Sequence, residues 1–124
     1  MTANAASSGD SQLFTGRTVP LAQTDPELVE FFDSFAFGEV PAQGDLDERT
    51  RSLVRLAALI ACQAHGAYRA ILDASLANGI TPTEAKEVVY HAVPYVGMGK
   101  AYDFLELTNE VLAVRGVDLP LPPA

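Results

Sequence analysis

Glu87, His91 and Tyr95 stand four residues apart, placing a carboxylate, an imidazole and a phenol in one row. Successive residues of a helix turn by roughly 100°, so an i, i+4, i+8 series projects from one face. An imidazole exchanges protons near neutral pH, and a carboxylate one turn earlier can fix its tautomer or its charge. A phenolic O–H one turn later can donate to an oxygen gaining negative charge. Together these are the parts of general acid/base catalysis, and His91, Glu87 and Tyr95 are the candidate catalytic residues. A solvated helix face or a subunit contact would carry the same three residue types.

Four more residues are candidates for binding a substrate. Arg55 and Arg69 present planar forks that match a carboxylate in two hydrogen bonds. Tyr68 precedes Arg69 at the head of a helix, where both line a pocket or simply pack and solvate. His65 lies in the junction Ala64-His65-Gly66, where it either caps backbone or reaches a ligand. Two histidines with scattered carboxylates form no metal-binding signature, so no metal is expected. Cys62 is the single cysteine, which leaves no intrachain disulfide and no CxxC pair. Its apolar neighbours predict a buried, unreactive thiol.

The element that must position the row begins with Thr81-Pro82-Thr83-Glu84. Threonine at the N-cap, proline at the first helical position and glutamate three residues past the cap make a capping box. Ala85, Val89, Ala92, Val93 and Val96 then supply a packing stripe nearly opposite the chemical row. Pro94 cannot donate to the carbonyl of Tyr90, so a kink or early end is expected there. With Gly97-Met98-Gly99 following, irregular backbone should lie close to His91 and Tyr95.

Other helices are predicted over about residues 25–37 with Gly38 as stop, 47–63, 67–78 ending at Gly79, and 99–115 ending at Gly116. The second of these is apolar nearly all round, which predicts central burial, with Arg55 either snorkelling out or meeting a carboxylate such as Glu87. No stretch alternates with period two, so the fold class is all-α, with about five helices and short connections. Residues 1–22 read as an N-terminal tail in which Leu13, Phe14 and Val19 could dock on a neighbour. Residues 23–116 form one helical domain, and residues 117–124 form an extended, proline-rich tail suited to lie across a partner subunit.

Among 124 residues, 16 acidic and 8 basic side chains give a formal charge of −8. That balance argues against nucleic-acid or anionic-membrane partners, which require a basic surface. Seven acids and no bases fall within residues 21–47, a solvated face. The start lacks a basic, then apolar, leader pattern, and the apolar run at residues 56–62 is too short to span a bilayer. A cytoplasmic, reducing setting is therefore expected. Phe31, Phe32, Phe35 and Phe37 exceed what one small core needs, which predicts a homo-oligomer.

An ordered set of segments carries a resemblance: Leu46-Asp47-Glu48-Arg49-Thr50-Arg51, the apolar helix at residues 53–62, Leu76-Ala77-Asn78-Gly79-Ile80-Thr81, and Glu87-Val88-Val89-Tyr90-His91-Ala92-Val93-Pro94-Tyr95-Val96-Gly97. In order and spacing, over roughly residues 46–115, the chain resembles the carboxymuconolactone decarboxylase family. The resemblance implies an AhpD-like all-α domain assembling into dimers, trimers or hexamers, with pockets near subunit contacts. It also implies a small-molecule substrate and decarboxylation of 4-carboxymuconolactone to an enol-lactone of 3-oxoadipate, with no cofactor.

The sister AhpD-like alkylhydroperoxidases use a glutamate, a CxxC pair and a histidine. At the positions matching that relay this chain has Ser52, Ala64, Ala67 and Ile71, so thiol peroxidase chemistry is disfavoured. The decarboxylase branch also commonly carries a histidine where Ile71 stands. Three functions follow as expectations: a cofactor-independent lyase or isomerase on a small carboxylated or lactone substrate, an AhpD-like antioxidant enzyme, or a non-catalytic binding or assembly subunit.

Overall fold

A computed structural model describes residues 20–123, all of whose regular elements are helices. Leu13, Phe14 and Val19, the docking residues expected in the N-terminal tail, lie outside the described residues. The chain divides into two compact units at Asp47/Glu48, where the sequence suggested one helical domain.

In the first unit, α1 (Leu21–Thr24) and α2 (Pro26–Asp33) lead into a π-helical turn at Ser34–Glu39 and a final helical turn, α3 (Val40–Ala42). Regular structure thus starts inside the expected tail. Gly38 does not stop the helix, which passes through it in the wider π form. The cause lies downstream. Pro41 has no N–H for the carbonyl four residues back and its ring crowds it, and the Val40 N–H instead bonds the carbonyl of Phe35, five residues earlier. Asp25 precedes α2 without a side-chain capping bond, leaving Pro26 at the first turn as the start signal.

The second unit contains α4 (Glu48–Ala61), α5 (His65–Ala77), α6 (Pro82–Val96) and α7 (Met98–Val114). Each packs chiefly on two others, in the ring α4, α5, α7, α6. Leu56 and Ile60 of α4, Tyr68 and Leu72 of α5, Ala85 and Val89 of α6, and Phe104 and Leu112 of α7 close the core between them. Spacings of four residues, and of eight for Phe104 and Leu112, keep one helical face inward.

A polar link crosses that core. The Thr108 hydroxyl donates to the Phe104 carbonyl at 2.7 Å, so the Tyr68 O–H is the donor in the 2.6 Å bond between the two hydroxyls. Burial pushes the Tyr68 phenol up to about 12. Tyr68 was a candidate for substrate binding. The structure places it in the core, because its ring fills the space against Phe104 edge-on, at 5.1 Å between centroids.

Two further expectations about α4 are corrected. Only Ser52, Leu56 and Ile60 of this helix are buried, while Val54 is 54% exposed and Ala57, Ala58 and Ala61 lie at the surface. A ring of four helices covers one stripe of each, which leaves Val54, Ala57, Ala58 and Ala61 exposed and Leu53 and Leu59 only half-buried. Cys62 follows the last turn and is exposed, not buried. Next to it Gln63 adopts the left-handed conformation (φ 61°), and its side-chain amide donates to the Ile60 carbonyl at 2.7 Å, satisfying a helix end that has no glycine.

The capping box forms as read. Glu84 N–H donates to Thr81 Oγ1 at 3.1 Å, and Thr81 N–H donates to Glu84 Oε1 at 2.9 Å. Arg49 of α4 pairs with Glu84 and donates to the Gly79 carbonyl at 3.2 Å, pinning the start of α6 to α4. The Thr81 backbone N–H, then its hydroxyl and Arg49, hold the Glu84 carboxyl below its usual range, against a smaller opposing effect of burial. A carboxyl lowered on folding contributes stability above its unfolded pKa, and this is lost as pH falls through the folded value. Thr81→Ala is expected to cost about 1 kcal/mol at neutral pH. Glu84→Gln should lower the melting temperature at pH 7, with the gap closing in acid below the carboxylate range. A gap independent of pH in thermal melts would contradict this account.

Pro94 neither ends α6 nor disturbs its last turn, since Gly97 N–H still bonds the Val93 carbonyl at 2.9 Å. Gly97 makes the break instead. Its φ of 90° is closed to most side chains, and α7 starts at the next residue. In the C-terminal segment Leu119, Pro120, Leu121 and Pro122 lie beside Thr83, Lys86 and Tyr90 of the same chain. No described helix is long and apolar enough to cross a membrane.

Candidate functional site

The capped start of α6 and its contact with α4 leave a groove of about 540 Å³ between the two helices. Leu53, Ala57 and Ala61, again at i, i+4, i+8, form its α4 wall. Small side chains at two of the three positions leave the width. On α6 the wall carries Glu84, Glu87, Val88, His91, Ala92, Tyr95 and Val96. The chemical row and two of the five packing-stripe residues, Ala92 and Val96, therefore share one groove, a quarter-turn apart and not on opposite faces.

All three candidate catalytic residues meet here. His91 Nε2 stands 3.7 Å from Glu87 Oε2, close enough for an ion pair when the imidazole is protonated and long for a hydrogen bond. The His91 side chain is 82% exposed, so its proton exchanges freely with solvent. Tyr95, 89% exposed, stands one turn further along at the Gly97 end. At the other end Glu84 is fixed by Thr81 and Arg49. The groove thus has an apolar floor for a small ring, a proton donor mid-way, a phenol at one end and two carboxylates along one side.

The candidate binding residues lie elsewhere. Arg55 pairs with Glu48 at 3.0 Å, not with Glu87, because the two stand seven residues, two turns, apart on one face of α4. Arg69 bonds Glu110 of α7 at 2.8 Å. His65 stacks on Phe104 with centroids 4.5 Å apart and stands 3.6 Å from Asp103. It opens on a separate cavity of about 490 Å³ with Glu106 and Glu110. Neither arginine lines the groove. Of the positions that match the peroxidase relay, Ser52 and Ile71 are buried, and Ala64 and Ala67 are half-buried.

Glu84 and the α4 residues Leu53, Ala57 and Ala61 were missed as site residues. Glu84 was read only as a cap, and Leu53, Ala57 and Ala61 only as apolar residues of a centrally buried helix. The sole signal was their spacing, which matches that of the catalytic row. Cys62 is exposed but does not line the groove. Cys62→Ala is accordingly expected to leave turnover and melting temperature close to those of the parent. Lost turnover in a folded variant would instead point to thiol chemistry between two chains.

Residues 26–110 match the family model described as the carboxymuconolactone decarboxylase family. A 4-carboxymuconolactone decarboxylase of Acinetobacter baylyi is 34% identical over 91 residues, covering 73% of this chain and 68% of that protein. A Streptomyces laurentii protein named as 23S rRNA (adenosine(1067)-2'-O)-methyltransferase is 29% identical over 100 residues, covering 81% of this chain but only 33% of that protein.

Proposed function

Because this chain belongs to the carboxymuconolactone decarboxylase family, we propose that it is a cofactor-independent lyase that decarboxylates a small lactone or related carboxylated substrate in the α4/α6 groove. The observation that carries this reading is the meeting of Glu87, His91 and Tyr95 along one apolar groove. The 4-carboxymuconolactone named for the Acinetobacter relative is the first substrate to test.

The chemistry follows from these groups. The bond between the substrate's ring carbon and its carboxylate breaks, and its electron pair moves into the conjugated system toward the lactone carbonyl. Carbon dioxide leaves, and negative charge collects on the carbonyl oxygen. The Tyr95 O–H donates to that oxygen. Protonated His91 delivers its proton to carbon, and the imidazole regains one from solvent, so each turnover consumes one proton. Glu87 stands one turn before His91, 3.7 Å from its Nε2, and holds the ring in position. Glu84 and Glu87 also disfavour a charged carboxylate beside them more than neutral carbon dioxide, which assists the loss.

An open groove holds water, and a second copy of the chain would exclude it. We propose that the exposed apolar face of α4, with Val54, Ala57 and Ala58, is covered in a homo-oligomer. Sedimentation at micromolar concentration is expected to give a species larger than 13.2 kDa. A stable monomer would remove that part of the proposal. The function itself is tested by following the substrate's ultraviolet absorbance and released carbon dioxide with purified protein. Absence of both for 4-carboxymuconolactone and its lactone analogues would refute the lyase reading.

A further inference from the structure

Lys86 belongs to α6 but turns away from the groove, toward α7 and the C-terminal segment. Its ammonium donates to Asn109 Oδ1 at 2.6 Å and lies 5.9 Å from the centroid of the Tyr90 ring. Both partners are neutral. Arg49, Arg51, Arg55, Arg69 and Arg115, by contrast, each pair with a carboxylate. Among the described residues no carboxylate stands within ion-pair distance of Lys86, although the chain carries a formal charge of −8. A half-buried cation left without a counter-ion in so acidic a protein is a place for an external anion.

The space beside it has the size for one. Lys86, Tyr90, Asn109, Leu119 and Leu121 border a cavity of about 550 Å³ whose roof is the C-terminal segment. The ammonium has two donor positions beyond the one given to Asn109, and the Asn109 amide N–H₂ supplies further donors. Leu119, Leu121 and the Tyr90 ring offer apolar cover. Glu87 also lines the cavity and repels a second negative group placed beside it. The chemistry therefore suits a single carboxylate on a compact apolar body.

We propose that this cavity is a second ligand site, separate from the α4/α6 groove, which binds a small apolar monocarboxylate through Lys86 beneath the C-terminal segment. Glu87 lines both spaces, but the site does not depend on the lyase reading, since Lys86, Asn109, Leu119 and Leu121 are absent from the groove.

The test is a titration of the full-length protein with benzoate, followed by amide chemical shifts, with benzyl alcohol as the uncharged comparison. Saturable shifts are expected at Lys86, Tyr90, Asn109, Leu119 and Leu121, with little change at Ala57 and Ala61. Benzyl alcohol should bind at least about tenfold more weakly, as for loss of one charge-assisted hydrogen bond. Lys86→Met should weaken benzoate similarly. Asn109→Asp keeps the shape but gives Lys86 a carboxylate partner, and it should also abolish saturable binding while preserving the fold. Linear, unsaturable shifts, equal binding of benzyl alcohol, shifts centred on the groove, or undiminished benzoate binding by Asn109→Asp would each overturn the proposal.

Discussion

Replacing His91 by Gln is expected to lower turnover of the decarboxylation substrate by about 10²–10⁴-fold, the usual contribution of a positioned general acid. Glutamine retains a hydrogen-bonding side chain of similar reach but has no titrating nitrogen. With its side chain 82% exposed, His91 contributes little to packing, so the variant should melt close to the parent. Substrate affinity should also persist, because Leu53, Ala57 and Ala61 supply the apolar wall. The loss should therefore appear in kcat, with KM little changed. Turnover within twofold of the parent would remove His91 from the mechanism and leave it a solvated residue. Tyr95→Phe is the natural companion, since it removes only the phenolic donor.

The second large effect is on stability. Phe104 is fully buried, meets Tyr68 edge-on and carries His65 stacked on its other side. Truncation to alanine removes the ring from the centre of the four-helix ring and loosens the Tyr68–Thr108 link beside it. Phe104→Ala is expected to cost about 3–5 kcal/mol, which for a domain of this size lowers the melting temperature by more than roughly 10 °C. Phe104→Leu keeps most of the volume and should cost clearly less. Denaturant unfolding measures both. A loss below about 1 kcal/mol for the alanine variant would show that the four helices do not close on this ring.

Local signals decided much of the second unit. Thr81, Pro82 and Glu84 set the start of α6 through bonds that span three residues, and Gly79, Gly97 and Gly116 mark left-handed turns that most side chains resist. Such features depend on neighbours in the chain, so the sequence carries them whole. The row Glu87, His91, Tyr95 was legible for the same reason, because helical periodicity alone puts the three on one face. The single cysteine likewise ruled out an intrachain CxxC relay by composition.

Other outcomes needed the tertiary structure. Arg55, Arg69 and His65 had chemistry suited to a substrate, yet their partners Glu48, Glu110 and Asp103 are set by which helices adjoin. Tyr68 went to the core and Cys62 to the surface, although both sit in similarly apolar sequence, because burial depends on which stripe of a helix its neighbours cover. The same cause left Leu53, Ala57 and Ala61 facing α6, turning a run of small apolar residues into a wall of the site. Pro94 was read as a kink or early end, and the helix runs two residues past it because only one backbone bond is lost and the turn at Gly97 completes the end. The residues fixed the elements and the chemistry of each face; the arrangement of the helices decided which faces meet, since packing couples positions far apart in the chain that no local pattern relates.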